Sequence, residues 1–248
     1  YPLSCLLFLI GIAALIGGLF STNSTAHRFH QANEQLFQEE MLSNTLNMHY
    51  TLAHPSAYGF KDYDAVLPAY NQKHHAANQA ALQKQLHFYQ ALDSSKLSAE
   101  DAHTLSLLIS YLENNLQLSQ YPYYEEPLAP SSGMQSQLPI LLAEYTFRCK
   151  RDVEDYLKLL DQTDDYFAGL LAFEQEKAAE GLLMSGVSMD KVTQQCDTIL
   201  TADSLEDGTH FLQTTFTERL QPLLEAKLLT QEEVTAYEHQ NNRLLSTV

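Results

Sequence analysis

A chain of 248 residues is long enough to bury a sizeable core, as one large or two modest domains. Its 31 acidic side chains outnumber 14 basic ones and leave a net charge of −17, which argues against nucleic acid and anionic lipid surfaces as partners. The three cysteines include no CxxC pair and no Cys/His cluster, which argues against a disulfide scaffold or a structural zinc site.

Leu3 to Phe20 is an apolar run without a charged residue, followed by the small, polar stretch Ser21 to Ala26. Its length lies between a signal-peptide core and a membrane span, which needs roughly 20 residues. Ser24 and Ala26 offer a small-x-small cleavage site, whereas Gly11, Gly17 and Gly18 also suit an uncleaved anchor. Residues 1–26 are therefore expected to be a signal peptide or membrane anchor, with the protein exported and membrane contact confined to residues 3–20. Cys5 precedes the apolar core instead of closing it, so a lipidated-cysteine reading is set aside. The first residue is Tyr1, and Asn241 to Leu245 read as the middle of a helix. Residues 27–248 are accordingly expected to be a helical domain cut at its C-terminal end, with the remaining half of the protein as its partner.

From residue 27 the apolar pattern is helical. Phe29, Leu36, Phe37, Leu46 and Tyr50 predict one face of a single long helix. Ser98 followed by Asp101 reads as a cap before Leu105, Leu108, Ile109, Leu112 and Leu116, which repeat at three and four. Asp152 opens a helix through Val153, Tyr156, Leu157 and Leu160, and another runs from about Asp164 to Gly181, with the glycine as its stop. Ser188 and Thr230 read as two further N-caps, the second completed by Glu233 as a capping box. No alternating β-branched run and no Asn-Gly or Asp-Gly hairpin interrupts this pattern. An all-α array of seven to nine helices is predicted.

Tyr121 to Pro139 breaks the period. Pro122, Pro127 and Pro130 push their predecessors out of the helical region, predicting an irregular connection over 121–139, with a helix restarting at Leu138-Pro139. Connections this long are more often functional than incidental. Its tip, Ser131 to Gln137, gathers hydroxyl and amide groups beside a glycine. Ser132, Gly133, Gln135 and Gln137 are the candidate substrate-binding residues, since a desolvated peptide backbone needs donors and acceptors to meet it. The alternative is a loop whose polar groups satisfy its own backbone.

Other chemistry is sparse. The sequence holds no HExxH, Gly-rich phosphate loop or GxSxG, so no catalytic residue and no metal ligand is assigned within it. His74 and His75 are adjacent and point about 100° apart on a helix, which prevents shared ligation of one metal. His49 and His54 are five apart and read as packing or capping groups. Glu125 and Glu126 point to opposite sides of an extended segment and read as exposed acids. Cys149 and Cys196 fall in the folded part, and their pairing stays open.

Glu125 to Tyr145, EEPLAPSSGMQSQLPILLAEY, resembles the matching stretch of the bacterial "domain of unknown function 885" family. The likeness extends upstream to Leu52–Gly59 and downstream to Asp152–Leu157, Phe173–Ala178 and Gln195-Cys196. The resemblance implies an exported helical protein roughly twice this long, similar in plan to gluzincin-type zinc metallopeptidases. In those, an HExxH helix and a later acidic ligand hold the zinc. None of these positions exists in this chain, so the implied zinc belongs to the missing C-terminal part. Two functions follow as expectations: one wall of the cleft of an exported zinc-dependent peptidase acting on peptides, or a non-catalytic helical binding or scaffolding module at the cell surface.

Overall fold

The computed structural model describes residues 24–68, 72–199 and 201–247. The expected signal or anchor segment, with the 3–20 apolar run and Cys5, lies outside them up to residue 23. Among the described residues no helix is long and apolar enough to cross a membrane. The fold is all-helical, as the periodicity predicts. The described residues form nine helices of eleven residues or more, with two short helical segments and two 3-10 turns, and contain no strand. The 27–248 stretch divides into two compact units.

The first unit comprises residues up to 40 together with 73–122. It holds most of α1 (Thr25–Ser43), α3 (Gln72–Gln90) and α4 (Ala99–Leu118). Phe29, Tyr89, Leu92, Leu105 and Leu112 form its core. The Tyr89 hydroxyl donates to Asn33 Oδ1 at 2.9 Å, so this buried phenol is satisfied within the unit. Ser98 caps α4 by accepting from the Asp101 N–H, as the sequence predicts. His74 and His75 lie on α3, and their side chains fall outside the described ones.

The single long helix expected from Phe29 to Tyr50 is broken. Helix α1 ends at Ser43, and α2 (Thr45–Thr51) restarts at Asn44, whose side chain accepts from the Asn47 N–H. Asparagine competes with helix hydrogen bonds through its own side chain, which makes it a good cap and a poor interior residue. The break sends the apolar pattern to different cores: Phe29 belongs to the first unit and Leu46 to the second.

The second unit, residues 41–72 with 123–248, is built around α6 (Lys150–Asp161). Seven of its twelve residues are buried, including Val153, Tyr156, Leu157, Leu159 and Leu160. Helix α7 (Thr163–Ala179) follows directly and stops at Gly181, whose φ of 75° is the left-handed turn anticipated there. Helix α6 packs against α11 (Gln231–Leu245), α11 against α10 (Phe211–Glu225), α10 against α5 (Met134–Glu144), and α5 against α8 (Gly186–Ile199). Tyr156, Phe216 and Phe147 meet ring to ring at the centre, with the Arg219 guanidinium over the Phe147 and Tyr156 faces. A short segment, α9 (Ala202–Glu206), precedes α10.

Three boundaries differ from those read in the sequence. Thr230 and Glu233 do form the expected capping box on α11, but α8 begins at Gly186, where the Ser185 hydroxyl, not that of Ser188, accepts the capping N–H. Helix α6 begins at Lys150; Asp152 is its third residue and takes the N–H groups of Arg148 and Cys149. Helix α5 begins at Met134, so the irregular connection closes at Gly133 and Pro139 sits inside the helix.

Candidate functional site

The early start of α5 follows from the loop before it. The Gly133 N–H donates to Ala129 O at 2.8 Å and the Met134 N–H to Pro127 O at 2.9 Å, folding the proline-rich chain back on itself. Gly133 then caps α5, and its carbonyl accepts from the Gln137 N–H at 3.0 Å. A Cβ at this glycine would run into the backbone N and O of Ala129 and into Gln135 Oε1. The glycine is required for close approach by the chain's own backbone.

Gln135 is buried at 3% exposure. Its amide group donates to Ala129 O at 2.8 Å and to Gln195 Oε1 at 2.9 Å, while Gln195 in turn donates to Pro130 O at 2.8 Å. Two glutamines 60 residues apart thus fasten the loop to α5 and α8. Ser132 is exposed and Gln137 half-buried, each with its side chain outside this network. Of the four candidate substrate-binding residues, the structure joins Gly133 and Gln135 in the loop's own hydrogen bonding and leaves Ser132 and Gln137 available.

Lys177 secures the far end of the same loop. Its ammonium is wholly buried, donating to Glu125 O at 3.0 Å and to Glu126 Oε1 at 2.6 Å, with Glu174 Oε2 3.7 Å away. Glu126 is exposed, as expected, and is in addition the ion-pair partner of a buried lysine. Burial raises the Glu174 carboxyl above its ordinary range, and the Lys177 charge offsets only part of that rise.

Behind the loop lies a pocket of about 340 Å³, contained entirely in the second unit. One wall is a stripe on α5, Gln135, Leu138, Pro139 and Leu142, at the spacing that puts side chains on a single helix face. The facing stripe on α7 is Thr163, Asp164, Phe167 and Leu171, continued by Leu160 from α6. Cys196 and Ile199 from α8, and His210 with Phe211 and Leu212 at the head of α10, join Leu128 and Leu245 to complete it. Volumes of this order hold small molecules or side chains, and the lining is predominantly apolar.

The polar groups in the lining are mostly committed elsewhere. The Thr163 hydroxyl donates to Leu160 O at 2.7 Å. His210 accepts the Leu212 N–H on Nδ1, so its Nε2 carries the proton and meets Ile199 O at 2.7 Å. Burial, then the neighbouring Asp197 charge, raises the Cys196 thiol above its ordinary value, which keeps it protonated and a poor nucleophile. Asp164 is the charged group of the lining, exposed and without a partner in the structure. Cys149 and Cys196 are both free.

His49 is a packing group. It is buried, stacks on Tyr145, and accepts the Thr146 N–H on Nε2 at 3.2 Å. Burial first, then the Arg148 and Arg219 charges, lowers its pKa to about 3. The imidazole is therefore neutral, and the 3.8 Å approach of Asp152 to its Nδ1 is not an ion pair. His54 stands exposed ahead of the 3-10 turn at Pro55–Tyr58. Among the described residues no three His, Cys, Asp or Glu side chains converge as a metal site, so the zinc implied by the resemblance finds no ligand set in them.

The family described as "Bacterial protein of unknown function (DUF885)" matches residues 54–245, more than three quarters of the chain. The chain belongs to the DUF885 family. Among proteins with curated descriptions, none matches it. The DUF885 chain is similar in fold to a solved structure described as "the putative lipoprotein from Colwellia psychrerythraea", with a TM-score of 0.73 at 15% identity. That similarity covers 91% of this chain and 39% of the other, so the DUF885 chain spans about two fifths of that protein's length. The stretch from Glu125 to Tyr145 that carried the resemblance is, in the folded DUF885 chain, the stapled connection and the α5 wall of the pocket. Sequence reasoning missed Phe167, Leu171, Ile199 and Phe211 in the facing walls. Their helical spacing was visible, but apolar spacing looks the same in a core and in a pocket.

Proposed function

We propose that this chain forms one wall of the peptide-binding cleft of a longer, exported zinc-dependent peptidase, whose metal ligands and general base lie in a part of the protein outside these residues. The observation that carries this reading is the apolar pocket between the α5 and α7 stripes. Its rim is held in place by the Gln135–Gln195 staple, so the surface is preformed. The length of the similar solved structure supports the presence of further chain, and its description as a lipoprotein, with the apolar run of residues 3–20, supports export.

The test uses the longer protein. Peptide cleavage that is abolished by a chelator and restored by zinc, with this 248-residue chain alone inactive, supports the assignment. Peptide binding by the zinc-loaded longer protein without cleavage would move the assignment to a non-catalytic helical binding module.

A further inference from the structure

The pocket's chemistry narrows what enters it. Among its polar lining groups, the Gln135 amide nitrogen, the Thr163 hydroxyl and both His210 nitrogens already bond within the chain, while Gln135 Oε1 is a buried acceptor without a partner. Among the described side chains of the lining, no strong donor is left to hold a carboxylate or phosphate. The charge that remains is the exposed Asp164 carboxylate, on a chain of net charge −17. An anionic group brought to this rim meets the repulsion of Asp164 without a free side-chain donor to offset it, whereas a neutral or cationic one does not. About 340 Å³ is roughly twice the 150 Å³ cavity that holds a benzene ring, so one large aliphatic or aromatic side chain fits with part of its backbone.

We infer that this pocket receives a large apolar side chain of an uncharged or basic peptide and discriminates against acidic peptides. The inference rests on the peptide reading above and adds the substrate class. Asp164 supplies the discrimination, and the α5 and α7 stripes supply the affinity.

The chain contains no tryptophan, so fluorescence excited at the indole edge reports only a tryptophan placed in the ligand. Titrating acetyl-Ala-Leu-Trp-Ala-amide into the protein is expected to give a saturable blue shift. The Asp-flanked analogue, acetyl-Asp-Leu-Trp-Asp-amide, is expected to bind about tenfold more weakly. Leu171→Glu, at a side chain 58% exposed on the pocket, and Cys196→Phe, which fills it from α8, should each weaken the neutral peptide by about tenfold or more. Leu228→Glu, outside the pocket and 54% exposed, should change nothing. Asp164→Asn should bring the acidic peptide to within about threefold of the neutral one. The absence of a saturable shift, equal binding of the two peptides, or indifference to both Leu171→Glu and Cys196→Phe overturns the inference. So does sedimentation in which Leu171→Glu splits a dimer while no peptide binds, since that assigns the surface to a second copy. Failure of the peptidase reading is distinct: the longer protein then cleaves nothing while this chain still prefers the neutral peptide.

Discussion

The imidazole of His49 lies flat against the ring of Tyr145, with centroids 3.6 Å apart and planes inclined by 16°. That stack joins α2 to the end of α5. Around it, Arg148 donates to the carbonyls of His49, Leu52 and Ala53, while Arg219 donates to those of Leu142 and Tyr145. Two guanidiniums thereby satisfy backbone acceptors beside a histidine that burial, reinforced by their charge, keeps neutral.

The pH dependence follows from that neutrality. In the unfolded chain His49 takes up a proton near its ordinary pKa of about 6.5, whereas in the fold it does so only near 3. Between those values the unfolded state binds the extra proton, so stability falls as pH drops from 6.5 toward 3 and is fully present above 6.5. His49→Gln, which keeps an acceptor for the Thr146 N–H, should flatten that part of the profile. Melting temperatures of both proteins between pH 7 and 4 measure it, and parallel profiles would show that His49 does not set the slope.

Lys177→Met should cost about 3 kcal/mol, because it leaves Glu174 partly buried without its cation. Combining it with Glu174→Gln should recover a large part of that loss, since replacing both members of a buried pair is far cheaper than removing one. Urea denaturation of the single and double variants reads the coupling directly.

Gly133→Ala should destabilise by about 1–3 kcal/mol through the clash with Ala129. The glycine's φ of −75° suits any residue, so the penalty is one of space and not of backbone preference. Gly208→Ala, at a φ of 68° and with open space around its Cβ, is the contrasting case and should cost about 1 kcal/mol from strain alone. Calorimetry on the two variants separates these causes.

Gln135→Ala should lower stability by about 1–3 kcal/mol, because it leaves Gln195 Oε1 without its donor and the Ala129 carbonyl with only the Gly133 N–H. Gln137→Ala, half-buried and outside the staple, should stay within about 0.5 kcal/mol of the parent. Thermal melts of both variants check the contrast. A loss of catalytic efficiency in a longer protein carrying Gln137→Ala, with its melting unchanged, would keep that residue as a substrate contact.

Much of the helical frame was legible because its signals are local. Ser98, Thr230 with Glu233, and Gly181 mark helix ends through side-chain or backbone geometry that operates within three or four residues. Asn44 carried an equally local signal, overlooked because apolar residues at helical spacings continue on both sides of it. Pro139 misled in the opposite direction. The start of α5 is fixed by Gly133 and Met134 reaching back to Ala129 and Pro127, and this contact outweighs the proline's lost hydrogen bond. The site was less legible still. Gln135 reads as a surface amide until Gln195, 60 residues away, is brought beside it, and no period in the sequence records that meeting. The same holds for Lys177, whose anion partner Glu126 lies on another segment.

Lys177 also gives the protein an internal clock. Its amine is sealed beneath the proline-rich connection, so an acylating reagent can reach it only while that connection is lifted. Lys96, whose side chain is 66% exposed, reacts at the reagent's own pace and serves as the reference. The ratio of the two modification rates, read by mass spectrometry, reports how often the rim of the pocket opens. A ligand that fastens the rim would slow the lysine beneath it without touching that lysine.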